Sequence, residues 1–121
     1  MKIYKGICIG LCLLWGQTTS AVEPSVDQEQ KYQQLLDQDI QIIQQSKLIL
    51  DVESSTATAQ QQQEALCQRL GAYQNIIALA DVYQQVEQAQ AMKRVAQVFL
   101  KQQNLSFEQS GMTIDAWCEK K

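Results

Sequence analysis

The sequence predicts an all-α protein, a small helical bundle with one disulfide and three to four helices, depending on whether one long helix is kinked. Gln, Ala, Leu, Glu and Lys dominate beyond the N-terminal region, and several of these are good helix formers. After Pro24 there are only two glycines, Gly71 and Gly111, and strand alternation and paired hairpin-turn residues do not occur. These features favour long helices over sheets.

The N-terminal region predicts a cleaved secretory signal peptide. A basic leader precedes an apolar run over residues 6–15, and small residues follow at 19–21. We expect cleavage after Ala21, with Ser20 as the alternative, which leaves residues 22–121 as a single helical domain. Because a bilayer span needs about 20 apolar residues, we expect no stable membrane insertion after cleavage. The predicted location is periplasmic or secreted.

Removal of this leader would change both the charge and the cysteine count. It would take away both leader lysines and leave eight basic residues against thirteen acidic ones, a net charge of about −5. That balance argues against binding to nucleic acid or to an anionic membrane. The residues before Cys8 and Cys12 do not form a lipidation site. Cys67 and Cys118 would remain, and an even count in an oxidising compartment predicts one disulfide.

The first helix is predicted from Val26 to Val52. Its apolar residues recur as doublets seven positions apart and, with Tyr32, form a wide stripe suited to a core: Leu35-Leu36, Ile42-Ile43 and Ile49-Leu50. Asp39 and Ser46 fall inside this stripe. Two interpretations of Asp39 stay open. It is either solvated, at a shallow edge or between two contact stripes, or it makes a paired polar contact that fixes helix register or receives a partner's cation.

The second helix is predicted to follow a connection over residues 52–58, in which Ser54, Ser55 and Thr56 are candidate N-caps. The run from Gln60 to Gln63 is interpreted as the solvated first turns of this helix. One face then carries the apolar residues Leu66, Leu70, Tyr73, Ile77 and Ala80. Gly71 would cost up to about 1 kcal/mol inside a helix, so we expect a close helix crossing there.

Residues 76–83 are apolar on nearly every side except at Asp81. This pattern predicts a buried central helix, since a helix that is apolar all round is normally covered on all sides. A kink or short break is expected between Gln84 and Gln90. Beyond it, Val95, Val98 and Phe99 are expected to return to the core.

The C-terminal part is predicted to contain one further break. Asn104 is a candidate C-cap, and Ser106 with Gln109 has the spacing of a capping box. A last short helix is expected over residues 114–118, with Trp117 turned inward and Cys118 bonded back to the second helix.

The chain contains no histidine. This removes the commonest general base, the Ser-His and Cys-His nucleophile pairs, and histidine metal ligands. Both remaining cysteines are assigned to the disulfide, and neither a phosphate-binding glycine loop nor an acidic calcium loop is present. The sequence therefore predicts no catalytic residues, no metal site and no cofactor.

Four charged residues are candidates for buried polar or partner-contact positions: Asp39, Asp81, Arg69 and Arg94. Asp81 has the most apolar sequence surroundings, and its structural interpretation is a hydrogen bond or ion pair within the fold, to Arg69, Lys93 or Arg94. An enzyme would instead need a concave pocket that contains at least two of the four candidates.

A small exported helical domain of this kind is expected to act through its surface. In size, leader, acidity and single disulfide it is similar to the small helical periplasmic immunity proteins that guard bacteria against secreted cell-wall amidases. This resemblance is one of layout, transfers no binding residues, and implies a protein that inhibits or neutralises a partner protein. The alternative is a structural or chaperone-like component of a bacterial envelope assembly. Its first helix would then pack on a partner helix or form a homodimer.

Overall fold

The computed structural model describes residues 25–119, and the predicted signal peptide lies outside them. Four helices follow in order: α1 (Val26–Leu50), α2 (Ala59–Val82), α3 (Glu87–Gln109) and α4 (Ile114–Cys118). The predicted all-α bundle with one disulfide is confirmed. Among the described helices, none combines the length and the apolar character needed to cross a membrane.

Side-chain caps define the starts of the first two helices. Ser25 Oγ accepts a hydrogen bond from the Gln28 N–H at 3.1 Å. Thr58, and not one of the three predicted residues before it, caps α2. Its Oγ1 accepts from the Gln61 N–H at 3.1 Å, while Gln61 Oε1 accepts from the Thr58 N–H at 2.9 Å. This capping box shows that the glutamine run forms the exposed first turns of α2, as predicted.

The core lies on two sides of α2, which packs along α1 and along α3, whereas α1 and α3 share no extensive contact. The buried cluster comprises Tyr32, Leu36, Ile43, Ala72, Ile76, Leu79, Ala80, Val86, Ala89 and Ala96. Tyr32 meets Tyr83 at one end, with ring centroids 5.7 Å apart. Tyr73 stacks on Phe99 between α2 and α3, with centroids 4.1 Å apart. The two aromatic contacts thus tie each flanking helix to the middle of the bundle.

The central segment is less buried than its sequence predicted. Ile76 and Leu79 are buried, but Val82 is 73% exposed. Because α1 and α3 cover only two sides of α2, an apolar residue that points elsewhere stays in water.

The break after this segment occurs close to where the sequence predicted it. α2 ends at Val82 and α3 begins at Glu87. The break resets the helical phase, so that α3 turns Ala89 and Ala96 towards the core. The prediction that Val95 and Val98 return to the core was wrong, since they are 56% and 58% exposed.

α3 continues to Gln109, although an end was predicted at Asn104. Phe107 packs against Trp117 of α4, with ring centroids 5.9 Å apart, and this contact favours the extra turn. Gly111, with a φ of 77°, then ends the helix. The N–H groups of Gly111 and of the next residue donate to carbonyls of the last turn at 3.0 and 2.9 Å, a Schellman arrangement that requires the left-handed backbone glycine tolerates best.

The disulfide between Cys67 and Cys118 joins α4 to α2, with the Cα atoms 5.5 Å apart. Gln63 adds a hydrogen bond from Nε2 to the carbonyl oxygen of Trp117 at 2.8 Å. Ile114 is buried at the start of α4. The predicted attachment of the C-terminal helix to the second helix is therefore confirmed.

Candidate functional site

A polar pair crosses the interface between α1 and α2. Asp39 is only 4% exposed, and Nδ2 of Asn75 lies 2.9 and 3.1 Å from its two carboxylate oxygens. Of the two interpretations of Asp39, the structure therefore supports the paired polar contact. The solvated-edge interpretation was wrong, because Asp39 points into the helix interface.

The carboxylate of Asp39 lacks a cationic partner within residues 25–119. Its hydrogen bonds come from Asn75, and the two salt bridges of this region involve other acids. Burial raises the pKa of Asp39 above its ordinary value, and the hydrogen bond from Asn75 lowers it in part. The cost of removing this carboxylate from water is thus only partly offset inside the fold.

A second polar contact lies two turns further along α1. Buried Ser46 donates to the carbonyl oxygen of Ile43 and accepts from Nε of Arg69, both at 2.6 Å. Arg69 also reaches Asp51, with Nη2 3.0 Å from Oδ2. The guanidinium of Arg69 is therefore bound to Ser46 and Asp51, and it makes no hydrogen bond to Asp39.

An open groove of about 520 Å³ lies beside Asp39, and we call it the α1–α2 groove. With Asp39 and Asn75, its lining comprises Ile42, Gln45, Gln68, Gly71 and Ala72. The close helix crossing predicted at Gly71 does not exist, since a Cβ built there would meet no atom within 4 Å. The reason is that Gly71 is exposed and lies along the open groove, where neither neighbouring helix covers it. The glycine leaves one wall of the groove without a side chain.

Exposed apolar side chains adjoin this groove. Ile42 is 36% exposed on its rim. A neighbouring depression at the end of α1 shares Gln68 with the groove and is lined in part by Leu48 and Val52, which are 71% and 42% exposed. The groove and the neighbouring depression are therefore continuous at Gln68, and exposed apolar side chains lie along both.

Asp81 and Arg94 lie away from this surface. The carboxylate of Asp81 is 3.5 Å from Nζ of Lys93, and its side chain is 67% exposed. Asp81 is therefore not buried, because the residue points out of the bundle; of the three partners proposed for an ion pair within the fold, Lys93 is the one it contacts. Arg94 is exposed and takes part in neither salt bridge of the described chain.

The structure does not bring the four charged candidates together. Within residues 25–119, no hydrogen bond or salt bridge links any two of them, and the α1–α2 groove contains Asp39 alone. The same region has no group of three or more Asp, Glu, Cys or His side chains that could hold a metal ion. Asp39 is therefore the one charged candidate that lines the α1–α2 groove.

A depression of about 600 Å³ also lies beside the disulfide, lined by Cys67, Cys118, Trp117 and several polar residues of α2. Its edge reaches Glu119, from which the chain continues beyond the described residues. The α1–α2 groove is bounded wholly by described residues, and we place the candidate site there.

Sequence reasoning missed Asn75 and misjudged Gly71. A usable signal existed for Asn75, because Asp39 and Ser46 lie seven residues apart inside an apolar stripe. An antiparallel partner helix must then offer polar groups at a similar spacing, and Asn75 and Arg69 are six residues apart on α2. No comparable signal distinguishes a glycine under a crossing helix from one that faces water.

Comparison with known protein families, with curated protein sequences and with solved structures gives no match for this chain. We therefore infer the function from the residues of the α1–α2 groove and its surroundings.

Proposed function

We propose that this protein is an exported, non-catalytic binding protein that inhibits or neutralises another protein, in the manner of an immunity protein. The observation that supports this best is the α1–α2 groove, with a buried carboxylate at its base and exposed apolar side chains at its margin. Exposed apolar side chains beside a polar groove offer a partner protein both apolar area to cover and a polar group to pair with.

The proposal places the protein in the periplasm or outside the cell. The leader over the first 21 residues supports export, and the disulfide between Cys67 and Cys118 is a bond that persists in oxidising compartments. N-terminal sequencing of the exported protein tests this directly. Cleavage after Ala21 or Ser20 is expected, and a secreted or periplasmic fraction that still begins at Met1 would contradict it.

Partner capture in the native host tests the binding function. The tagged chain is expressed with its own leader, retained in its own compartment and cross-linked, and co-purifying proteins are identified by mass spectrometry. We expect one stoichiometric hydrolase or toxin. Purified binding protein, added in increasing amounts, should then reduce that partner's activity to a plateau at a fixed molar ratio. Absence of such a protein, or a captured partner whose activity is unchanged, would contradict the proposal.

A structural or chaperone-like role in an envelope assembly is the second candidate, and a different surface favours it. Ala91, Val95, Val98 and Leu105 are all exposed and lie on one side of α3, roughly opposite the side that carries Ala96. Spacings of three, four and seven residues suit packing against another helix. Several envelope proteins captured together would support this role, particularly if replacement of Val95 and Val98 by Gln released them.

The homodimer through the first helix stays a prediction. Leu36 and Ile43, one member of each of two doublets, are buried in the core, while Leu35 is partly buried and Ile42 lies at the groove rim. A dimer would therefore have to use the first member of each doublet, Leu35 and Ile42. Sedimentation analysis of the purified protein over a range of concentrations measures whether it forms.

A further inference from the structure

We propose that the α1–α2 groove receives an arginine side chain of the partner protein, whose guanidinium pairs with the carboxylate of Asp39. This inference deepens the proposed function and rests on it. It names the partner side chain that would enter the groove and the group that it would contact there.

The charge of Asp39 is not balanced by a cation within the described chain. Asp39 is almost fully buried, and within the described chain it contacts the neutral amide of Asn75 but no cation. Arg69, the basic residue of α2, does not supply this cation, because its guanidinium is bound to Ser46 and Asp51. A buried carboxylate without a countercharge is costly alone but favourable when a partner supplies a hydrogen-bonded cation.

The groove gives a partner side chain room beside Asp39. The groove opens beside Asp39, and the position of Gly71 has free space where any other residue would place a side chain. A carboxylate offers about four acceptor sites, and Asn75 occupies only part of that capacity. Gln45 and Gln68 line the same groove, and the side-chain oxygen of a glutamine is a further acceptor for guanidinium N–H groups.

Arginine suits this position better than lysine. Reaching a nearly buried carboxylate requires a long side chain that loses its water readily. Arginine is more weakly hydrated than lysine and presents several donors in one plane, which suits a carboxylate flanked by amide oxygens. An apolar stem would lie against Ile42 on the groove rim.

A probe titration tests the groove without the partner. N-acetyl-arginine amide is added to isotopically labelled protein up to its solubility limit, with the neutral N-acetyl-citrulline amide as the matched probe. We expect NMR shifts at Gly71 and at the side chain of Asn75 with the arginine probe only. They should vanish in D39N and persist in D37N, which removes an exposed carboxylate from the same helix. Equal shifts with both probes, no shifts, or shifts retained in D39N would overturn the inference.

Partner binding provides the second test. D39N is expected to weaken binding of the captured partner by about 30-fold or more, since it leaves the arginine unpaired in a buried contact. G71Q keeps the carboxylate but fills the groove, and should weaken binding without loss of fold. D37N should bind as the wild type does. If D39N and G71Q both bind normally, the arginine contact is wrong while the proposed function stands. If the wild type captures no partner, the proposed function fails and the probe titration alone decides the chemistry of the groove.

Discussion

Asp39 and Asn75 face each other across the α1–α2 interface, and the amide nitrogen of Asn75 lies within 3.1 Å of both carboxylate oxygens. Two turns away, Ser46 and Arg69 form a second polar contact in the same interface. If one helix slid along the other, Asp39 and Ser46 would lose their partners and face apolar side chains instead. Because unpaired buried polar groups are costly, the two contacts specify one antiparallel register.

Replacement of Asp39 by Asn should make the protein more stable at neutral pH. Burial raises the pKa of Asp39 in the folded state, so folding favours the protonated carboxyl. The wild type should therefore lose stability relative to D39N as the pH rises from the unfolded-state pKa to the folded-state pKa, and then reach a plateau. Urea unfolding of both proteins between acidic and neutral pH measures the difference, at about 1.4 kcal/mol per pH unit between the two pKa values.

Asp37 provides the control for this experiment, because it is exposed and lies on the same helix. The D37N variant should follow the wild-type pH dependence closely. A D39N protein that is less stable than the wild type at neutral pH would show that the carboxylate is better accommodated than its surroundings indicate.

Arg69 should stabilise the fold through Ser46 more than through Asp51. The side chain of Arg69 is 12% exposed and that of Asp51 is 48% exposed. An exposed ion pair contributes little, whereas a mostly buried hydrogen bond to a charged group is worth more. In urea unfolding we expect R69M to lose about 1.5–3 kcal/mol and D51A less than about 0.5 kcal/mol. Equal losses in the two variants would assign the effect to the ion pair.

The elements that the sequence predicted well depend on local signals. The apolar doublets of α1, the glutamine-rich start of α2 and the absence of strand patterns each follow from propensity and periodicity. Pairing of Cys67 with Cys118 followed from an even count of two. These features need no knowledge of how the helices are arranged.

The wrong predictions concern features that depend on how the helices are arranged in space. An all-round apolar pattern over residues 76–83 cannot tell how many neighbours will cover the helix, and here α1 and α3 leave Val82 exposed. The phase of α3 depends on the backbone at the break, so the faces of Val95 and Val98 could not be extrapolated from α2. The end of α3 depends on the contact of Phe107 with Trp117, which is set by the tertiary fold.

The exposed side of α3 should tolerate polar residues. Val98 is 58% exposed, whereas Phe99 stacks on Tyr73. We expect V98Q to change the free energy of unfolding by no more than about 0.5 kcal/mol, and F99A to reduce it by about 2 kcal/mol or more. Thermal and urea unfolding measure both. A large loss in V98Q would mean that this side of α3 is covered, for example by a second copy.

The two glycines should respond to alanine in opposite directions. G71A adds a methyl group into open space on a helix, and should increase stability by about 0.5–1 kcal/mol. G111A places alanine at a φ of 77°, and should reduce stability by about 1–2 kcal/mol. Unfolding in urea compares each with the wild type. A destabilised G71A would indicate that the groove is closed by something in contact with Gly71.

Loss of the disulfide should have the largest effect on stability. Cys67 and Cys118 are 51 residues apart in sequence, and closing a loop of that length is worth about 4 kcal/mol in the chain-entropy model. The oxidised protein should therefore melt at a substantially higher temperature than C118S or the double variant C67S/C118S. Reduced wild-type protein should melt at about the same temperature as the double variant, because both lack the disulfide. An unchanged midpoint in C118S would mean that α4 is held to α2 by packing alone, with Ile114 and Trp117 sufficient to keep it in place.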